Sequence, residues 1–310
     1  MKLFHPSNVY EESWLLLAIT KLLGLYPVKF FKYLFLNYIY QIVLLIIYFV
    51  LFFEVHKYAS DMFKTLISIN TTITVKRIRY YTSTISLPLI MILSIRQSSK
   101  LRRVFKQIDN VDKNMKFFNT EIDYLLCMRN DVLLLINTIL ITILFNLMDY
   151  YGFVDNDSNY MYVLMWIVEH IPDFINSIIL CSFVILIDKI RFRFKEINMI
   201  LNIITKGKSL GSISESSDVN NVSRFKLLKV LRFKLRKAVS LLNEIYEFRF
   251  RILTMMYIVY VCLHISIIYY ESNDSVHAID TVLSLLWGIL DLTKLVCMIH
   301  IHQVLTVEYA

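Results

Sequence analysis

Glycine, proline and charged residues are scarce in this chain, and each shortage excludes a class of structure. Its 310 residues include only 5 glycines and 4 prolines, so most of the chain can be helical without breaks. Charged residues make up 19% and apolar residues 57%, which leaves too little polar surface to cover the core of a soluble domain. The composition therefore predicts an all-α fold, built as a single membrane domain.

The sequence also lacks the short motifs of common enzyme classes and of metal sites. It contains no HExxH, GxSxG, P-loop or GxGxxG pattern. The 4 cysteines show no CxxC or Cys/His spacing, and all of them fall within predicted spans or on the predicted cytoplasmic side. We therefore expect no disulfide, no metal site, no cofactor and no enzymatic activity.

Apolar residues cluster into blocks long enough to cross a bilayer, which takes about 20 helical residues. Six spans are predicted, four of them within 33–187 and two within 252–305, at residues 33–53, 80–95, 131–148, 161–187, 252–270 and 278–305. The second is the weakest, because only 16 residues separate Arg79 from Arg96 and they include Pro88. We expect this helix to borrow length from the preceding segment, residues 65–75.

The distribution of Lys and Arg predicts a cytoplasmic N-terminus. Residues 1–32 carry 4 of these cations, residues 96–130 carry 8 and residues 188–251 carry 15. Residues 149–160 and 271–277 carry none and are predicted to lie outside. The large basic loops are therefore assigned to the cytoplasm.

One predicted outer loop departs from this rule, because residues 54–79 carry 5 basic residues. N-x-[ST] sequences give weak support to the topology, since Asn70, Asn156 and Asn273 lie one in each predicted outer loop. These three are the glycosylation candidates. A fourth match, at Asn221, falls in the predicted cytoplasmic loop, so chance alone can produce one.

Two regions outside the spans are predicted to have structure of their own. Residues 1–32 form a cytoplasmic N-terminal amphipathic segment that lies against the inner leaflet. The 188–251 loop contains two helical extensions separated by a flexible, Gly/Ser/Asp-rich linker at 205–222. The net charge of +8 sits beside the spans, where it serves topology and contact with anionic lipid, so the bilayer and not a nucleic acid is the expected partner.

Polar side chains inside the spans are the best functional candidates, because each costs roughly a few kcal/mol to place there. Glu169, His170 and Asp173 fall in the outer half of the fourth span. They either line a water-filled cavity or form interhelical hydrogen bonds, and the sequence leaves both open. In the sixth span Asp291 and Lys294 stand at i, i+3 and are expected to neutralise each other.

Several stretches resemble insect gustatory receptors, part of the chemoreceptor superfamily that includes the odorant receptors. The end of the fourth helix reads IDKIRFRFKEINMIL (187–201), and the fifth reads SLLNEIYEFRFRILTMMYIVYVCLHISIIYY (240–270). The sixth reads LLWGILDLTKLVCMIHIHQVLTVEYA (285–310), and KLLGLYPVKF near the N-terminus is also typical. The resemblance covers essentially the whole chain.

The resemblance implies a chemosensory receptor subunit of the ligand-gated cation channel type, located in the cell membrane. It also implies a homo- or hetero-tetramer with other gustatory receptor subunits and a small-molecule tastant as ligand. The tastant would enter an outward-facing pocket among the spans. Six residues are selected for this pocket by depth and polarity: Glu169, His170, Asp173, Tyr269, Tyr270 and Trp287. The last three would form its aromatic walls.

Family members have seven spans, and the seventh lines the pore, whereas this sequence stops after its sixth. The resemblance therefore implies truncation before the seventh helix, and the alternative function is a non-conducting scaffold or modulatory subunit. A secondary transporter is less favoured, because no inverted repeat is visible and mid-span Gly and Pro are few. A G-protein-coupled receptor would place its N-terminus outside and carry Asp-Arg-Tyr where this chain reads MRNDV (128–132).

Overall fold

The computed structural model describes residues 5–25, 34–66, 71–153, 160–209, 215–271 and 278–309. The helices in these ranges are α1 (Val9–Glu12), α2 (Trp14–Leu22), α3 (Leu34–Leu66), α4 (Thr71–Met115), α5 (Tyr124–Phe153), α6 (Tyr160–Ser209), α7 (Glu215–Glu271) and α8 (Ala278–Tyr309). A short 3₁₀ turn, Lys116–Phe118, follows α4. No strand occurs in the described ranges, and the predicted all-α class is confirmed.

Six of the described helices, α3 to α8, are long and apolar enough to cross a bilayer, as the sequence predicted. Three of them are far longer than a crossing requires, because α4, α6 and α7 contain 45, 50 and 57 residues. At 1.5 Å per residue these helices measure ~68 to ~86 Å, against a hydrocarbon core of ~30 Å. The chain is therefore a multi-pass membrane protein whose helices project well beyond the bilayer.

Helix α4 explains how the weak second span is long enough. It begins at Thr71 and continues through Pro88 to Met115, so the helix of the predicted span at 80–95 includes residues 71–75 of the segment 65–75, whereas residues 65–66 belong to α3. Proline is tolerated inside membrane helices, where neighbouring groups satisfy the backbone carbonyl that it leaves free. The same holds for Pro172 inside α6.

The helices form a central layer and a periphery. The most apolar stretch of α6 is 78% buried and that of α4 is 56% buried, whereas the corresponding stretches of α3 and α5 are each only 17% buried. Ile42, Ile46 and Val50 of α3, for example, are 50–54% exposed. Such apolar surface suits contact with lipid, so α6 is the central helix on which the polar sites are built.

The N-terminal helices are docked on one end of the bundle, which we call the inner end and which the charge pattern assigns to the cytoplasm. The Asn8 side chain caps α1 by accepting from the backbone N–H groups of Tyr10 and Glu11, at 3.1 and 3.0 Å. After α2 the chain turns at Gly24, whose φ of 69° is a left-handed conformation. There the Gln41 side chain of α3 donates to the Gly24 carbonyl at 2.7 Å, which ties the segment to the bundle.

Described helix covers part of the region predicted as a flexible linker, residues 205–222. Helix α6 extends to Ser209 and α7 already begins at Glu215, so only residues 210–214 fall outside the described residues. The glycosylation candidates Asn70, Asn156 and Asn273 also lie outside the described residues.

Candidate functional site

A buried ion pair joins α4 to α6 in the half of the bundle away from the inner end. Nη2 of Arg79 donates to Oδ2 of Asp173 at 2.5 Å, and the two residues are only 6% and 2% exposed. Arg79 is one of the 5 cations that seemed to violate the charge rule in the predicted outer loop. It is instead a residue of the bundle interior, because α4 begins before it and turns its side chain toward Asp173.

Aromatic rings from three other helices surround this pair. The Arg79 guanidinium carbon lies 4.1 Å from the ring centre of Trp287 on α8 and 5.6 Å from that of Tyr260 on α7. Both distances are in the range of cation–π attraction. His170 stacks on Trp287 with 5.9 Å between ring centres and 22° between planes, and Phe145 of α5 meets the same indole edge-on at 5.6 Å. The site therefore joins five helices.

A second set of charged residues lies between α7 and α8, one to two helical turns beyond Trp287 along α8. Lys294 Nζ is 3.8 Å from Asp291 Oδ1, which confirms the predicted pairing, and His264 Nε2 is 3.7 Å from Asp291 Oδ2. Gly288 permits this close approach, because a methyl group added there would stand 3.3 Å from Cβ of His264. Lys294 also lies 5.3 Å from the ring centre of Tyr257.

Several buried polar atoms around these charges have no hydrogen-bond partner among the described residues. They are the Tyr257 hydroxyl, the Trp287 indole nitrogen, Oδ1 of Asp173 and both amide atoms of Asn176. An unbonded buried polar atom costs about 1–3 kcal/mol, and native proteins contain few of them. Donors and acceptors concentrated at one place are therefore the groups to which a polar ligand or water can bond. We call the residues Arg79, His170, Asp173, Tyr257, Tyr260, Trp287, Asp291 and Lys294 the outer cluster.

The predicted ligand residues do not all come together. His170, Asp173 and Trp287 belong to the outer cluster, but Glu169 is half-buried on the neighbouring face of α6, near Tyr80 of α4. Tyr269 is 74% exposed on the surface of the chain, so the structure does not place it in a wall of the cluster. The side chain of Tyr270 lies outside the described residues.

Sequence reasoning missed three residues of the site: Arg79, Tyr257 and Tyr260. The signal for Arg79 was its violation of the charge rule, since a cation that does not serve topology requires another explanation. The two tyrosines gave no signal, because an uncharged ring in an apolar span looks like core. Their polar role is visible only in the structure, where the Tyr260 hydroxyl shares a hydrogen bond with Ser83 at 2.8 Å.

A second cluster of buried charge lies at the inner end, and we call its five residues, Glu12, Asp112, Asp131, Lys189 and Arg193, the inner cluster. Nε and Nη2 of Arg193 donate to the two carboxylate oxygens of Asp112, each at 3.0 Å, and Nη2 also reaches Glu12 at 3.1 Å. Lys189 donates to Glu12 and to Asp131. The inner cluster therefore joins α1, α4, α5 and α6.

Together these features define a class: an all-helical, multi-pass membrane protein with a polar and aromatic site inside its bundle and long helical extensions at its inner end. The model of the 7tm chemosensory receptor family matches residues 15–309, and the chain belongs to that family. A comparison with individually curated proteins gave no match. The chain is therefore a chemoreceptor of the membrane, from a family that is not a family of enzymes.

Proposed function

We propose that this chemoreceptor is a gustatory subunit of a ligand-gated cation channel and that a small-molecule tastant binds at the outer cluster. The observation that carries the proposal is the convergence of charged, aromatic and unbonded polar groups from several helices on one buried place. Binding pockets in membrane bundles commonly pair apolar walls with a few placed polar groups of this kind.

A ligand at this place changes the balance between conformations only if it binds one of them better than the other. The outer cluster suits that role because the ion pair of Arg79 and Asp173 joins α4 to α6 there. A ligand hydroxyl or amine that bonds to Oδ1 of Asp173 or to the Trp287 indole would fix one relative position of these helices. Helix α6 then continues without interruption to the inner end, so a displacement at Asp173 reaches the cytoplasmic extensions.

Assembly is part of the same proposal. A homo- or hetero-tetramer with other gustatory receptor subunits would place the projecting parts of α4, α6 and α7 of neighbouring subunits near one another in the cytoplasm. Their lengths, 45 to 57 residues, support this role, since a single crossing needs far fewer. In such an assembly the chain acts as the ligand-recognising or modulatory member.

The experiment is a tastant screen by calcium imaging on cells that co-express the chain with another gustatory receptor subunit. The dose response to each active tastant is then measured again with variants of the chain. His170→Ala and Trp287→Ala should each raise the effective concentration by about 5- to 100-fold. Tyr269→Ala is the matched control, because this exposed ring lies away from the cluster. Surface biotinylation separates lost binding from lost expression. Equal dose responses in all three variants would contradict the proposed site.

A further inference from the structure

The part of α7 that lies beyond the membrane has a strongly basic exposed face. Seven of the 14 residues from Arg224 to Lys237 are Lys or Arg, and no acidic residue occurs between positions 219 and 243. The exposed cations of this face are Arg224, Lys226, Lys229, Arg232, Arg236 and Lys237. The opposite side of the same helix is apolar, since Leu228, Leu231 and Leu235 are no more than 2% exposed and pack in the core.

No ion pair within the described residues neutralises these cations. In the described part of the chain, none of the six has a carboxylate oxygen within 4.0 Å. The next acidic residues along α7 are already paired elsewhere: Glu244 with Lys100 of α4 at 2.7 Å, and Glu247 with Arg251. The basic face therefore presents its full charge to a partner.

Apolar side chains are interleaved with the cations on this face. Phe233 is 67% exposed and Val230 is 48% exposed, and they stand three residues apart between Lys229 and Arg236. An exposed phenylalanine among cations, away from the bilayer, adds contact area for a partner that combines acidic and apolar groups. A basic amphipathic helix of this kind is typical either of membrane surfaces or of the helical targets that acidic proteins bind.

The bilayer is too distant to be that partner. The fifth span is predicted to begin at residue 252, so at 1.5 Å per residue Lys237 would lie ~22 Å and Arg224 ~42 Å along α7 from the membrane. Screening at physiological salt limits the attraction of lipid headgroups to a Debye length of ~8 Å. Charges that set topology also act within about 15–20 residues of a span, a limit that the first half of the face exceeds.

A second copy of this same face is disfavoured by charge, so the neighbouring subunits of the proposed tetramer would meet through other faces of the projecting helices. Two such faces brought together would oppose like charges, which costs free energy at an interface. We infer that the exposed face of α7 from Arg224 to Lys237 is a docking surface for an acidic, partly apolar segment of a soluble protein. The cations attract the acidic groups, and Phe233 with Val230 supplies the apolar contact.

The test measures binding of a fluorescent 20-residue peptide of Glu and Leu to the full chain in phosphatidylcholine nanodiscs at 150 mM salt. The double variant Arg232→Glu/Arg236→Glu should weaken binding by about tenfold or more, because it replaces attraction by repulsion. The matched control is Arg102→Glu/Arg103→Glu, an equal change of charge on exposed residues of α4, which should leave binding within about twofold.

Phe233→Ala tests the apolar half of the surface and should weaken binding about threefold or more, whereas Phe117→Ala, at a 74% exposed ring elsewhere, should have no effect. Absence of peptide binding, or equal losses in the two double variants, would overturn the inference. It would also be overturned if Arg232→Glu/Arg236→Glu abolished association with phosphatidylserine vesicles, or if a crosslinker placed at position 233 captured a second copy of the chain.

Discussion

The outer and inner clusters both hold charges that are almost completely buried, yet they differ in how fully their polar atoms are bonded. In the inner cluster every donor nitrogen of Arg193 has a partner, both oxygens of Glu12 and of Asp112 accept, and Tyr124 adds a hydroxyl at 3.1 Å. In the outer cluster Oδ1 of Asp173 remains unbonded among the described residues.

If a ligand binds at the outer cluster as proposed, this difference separates a structural role from a binding role. A fully bonded buried network rigidifies the elements that it joins, and the inner cluster joins the N-terminal helix to three membrane helices. Local departures from complete bonding are expected at functional sites, where a ligand or water takes up the remaining bonds. The two clusters share α6, so one helix carries a rigid attachment at one end and a responsive site nearer the other.

The largest effect is expected from breaking the inner cluster. Arg193→Ala leaves the carboxylates of Asp112 and Glu12 buried without their cation and should destabilise the fold by about 3–5 kcal/mol. The measurement is denaturant unfolding of the purified chain in micelles. Arg191→Ala is the control, because Arg191 is exposed on the same helix and its removal should cost no more than about 0.5 kcal/mol. Similar losses in both variants would show that the inner cluster does not hold the helices together.

Removing one partner of the buried ion pair in the outer cluster should lower the stability of the fold less than the loss of Arg193 does. Asp173→Ala should destabilise the chain by about 1–3 kcal/mol, since the Trp287 and Tyr260 rings still attract the Arg79 cation. A double-mutant cycle with Arg79→Ala in the same unfolding assay should give an interaction energy of about 1–3 kcal/mol. A loss as large as that of Arg193→Ala would erase the proposed distinction between the clusters.

A smaller effect should follow from closing the space between α7 and α8. Gly288→Ala places a methyl group 3.3 Å from His264 Cβ, so the helices must shift slightly and the chain should lose about 1 kcal/mol. Leu285→Ala on the exposed side of α8 serves as control and should change the unfolding midpoint less. If Gly288→Ala were neutral, close contact of these helices would not be needed for the outer cluster.

The last of these predictions concerns topology and involves no change in stability, because glycosylation mapping decides which of the two clusters lies on the outer side of the membrane. Glycosylation mapping in microsomes should modify Asn156 or Asn273 but leave Asn221 unmodified, because only acceptors on the lumenal side of the membrane are glycosylated. Gel mobility before and after glycosidase treatment gives the readout. Modification of Asn221 would invert the assignment and place the inner cluster on the outer side.

Sequence alone predicts the helices of this chain better than its sites. Long apolar blocks give the six spans, and the i, i+3 spacing gives the pair of Asp291 and Lys294. Arg79 was assigned to a loop because the first two turns of α4 are polar and do not resemble a span. Contacts between distant residues leave no periodic signal either, and Glu12 meets Lys189 across 177 positions of sequence.

The helices on either side of the predicted linker extend further than local composition suggests. Gly and Ser between two amphipathic helices look like a flexible connection, but the neighbouring parts of α6 and α7 extend their helices into this region. Helices already fixed by packing propagate at low cost, so local composition underestimates their length.

One comparison tests the central claim most directly: Asp173→Asn in the outer cluster against Asp112→Asn in the inner cluster, in cells responding to an identified tastant. For each variant the effective concentration and the surface expression are measured together. The account predicts that Asp173→Asn raises the effective concentration about tenfold or more while surface expression is kept. Asp112→Asn should reduce surface expression and leave the effective concentration of the remaining receptors within about twofold. An unchanged effective concentration in Asp173→Asn, or an equal shift in both variants, would contradict the account.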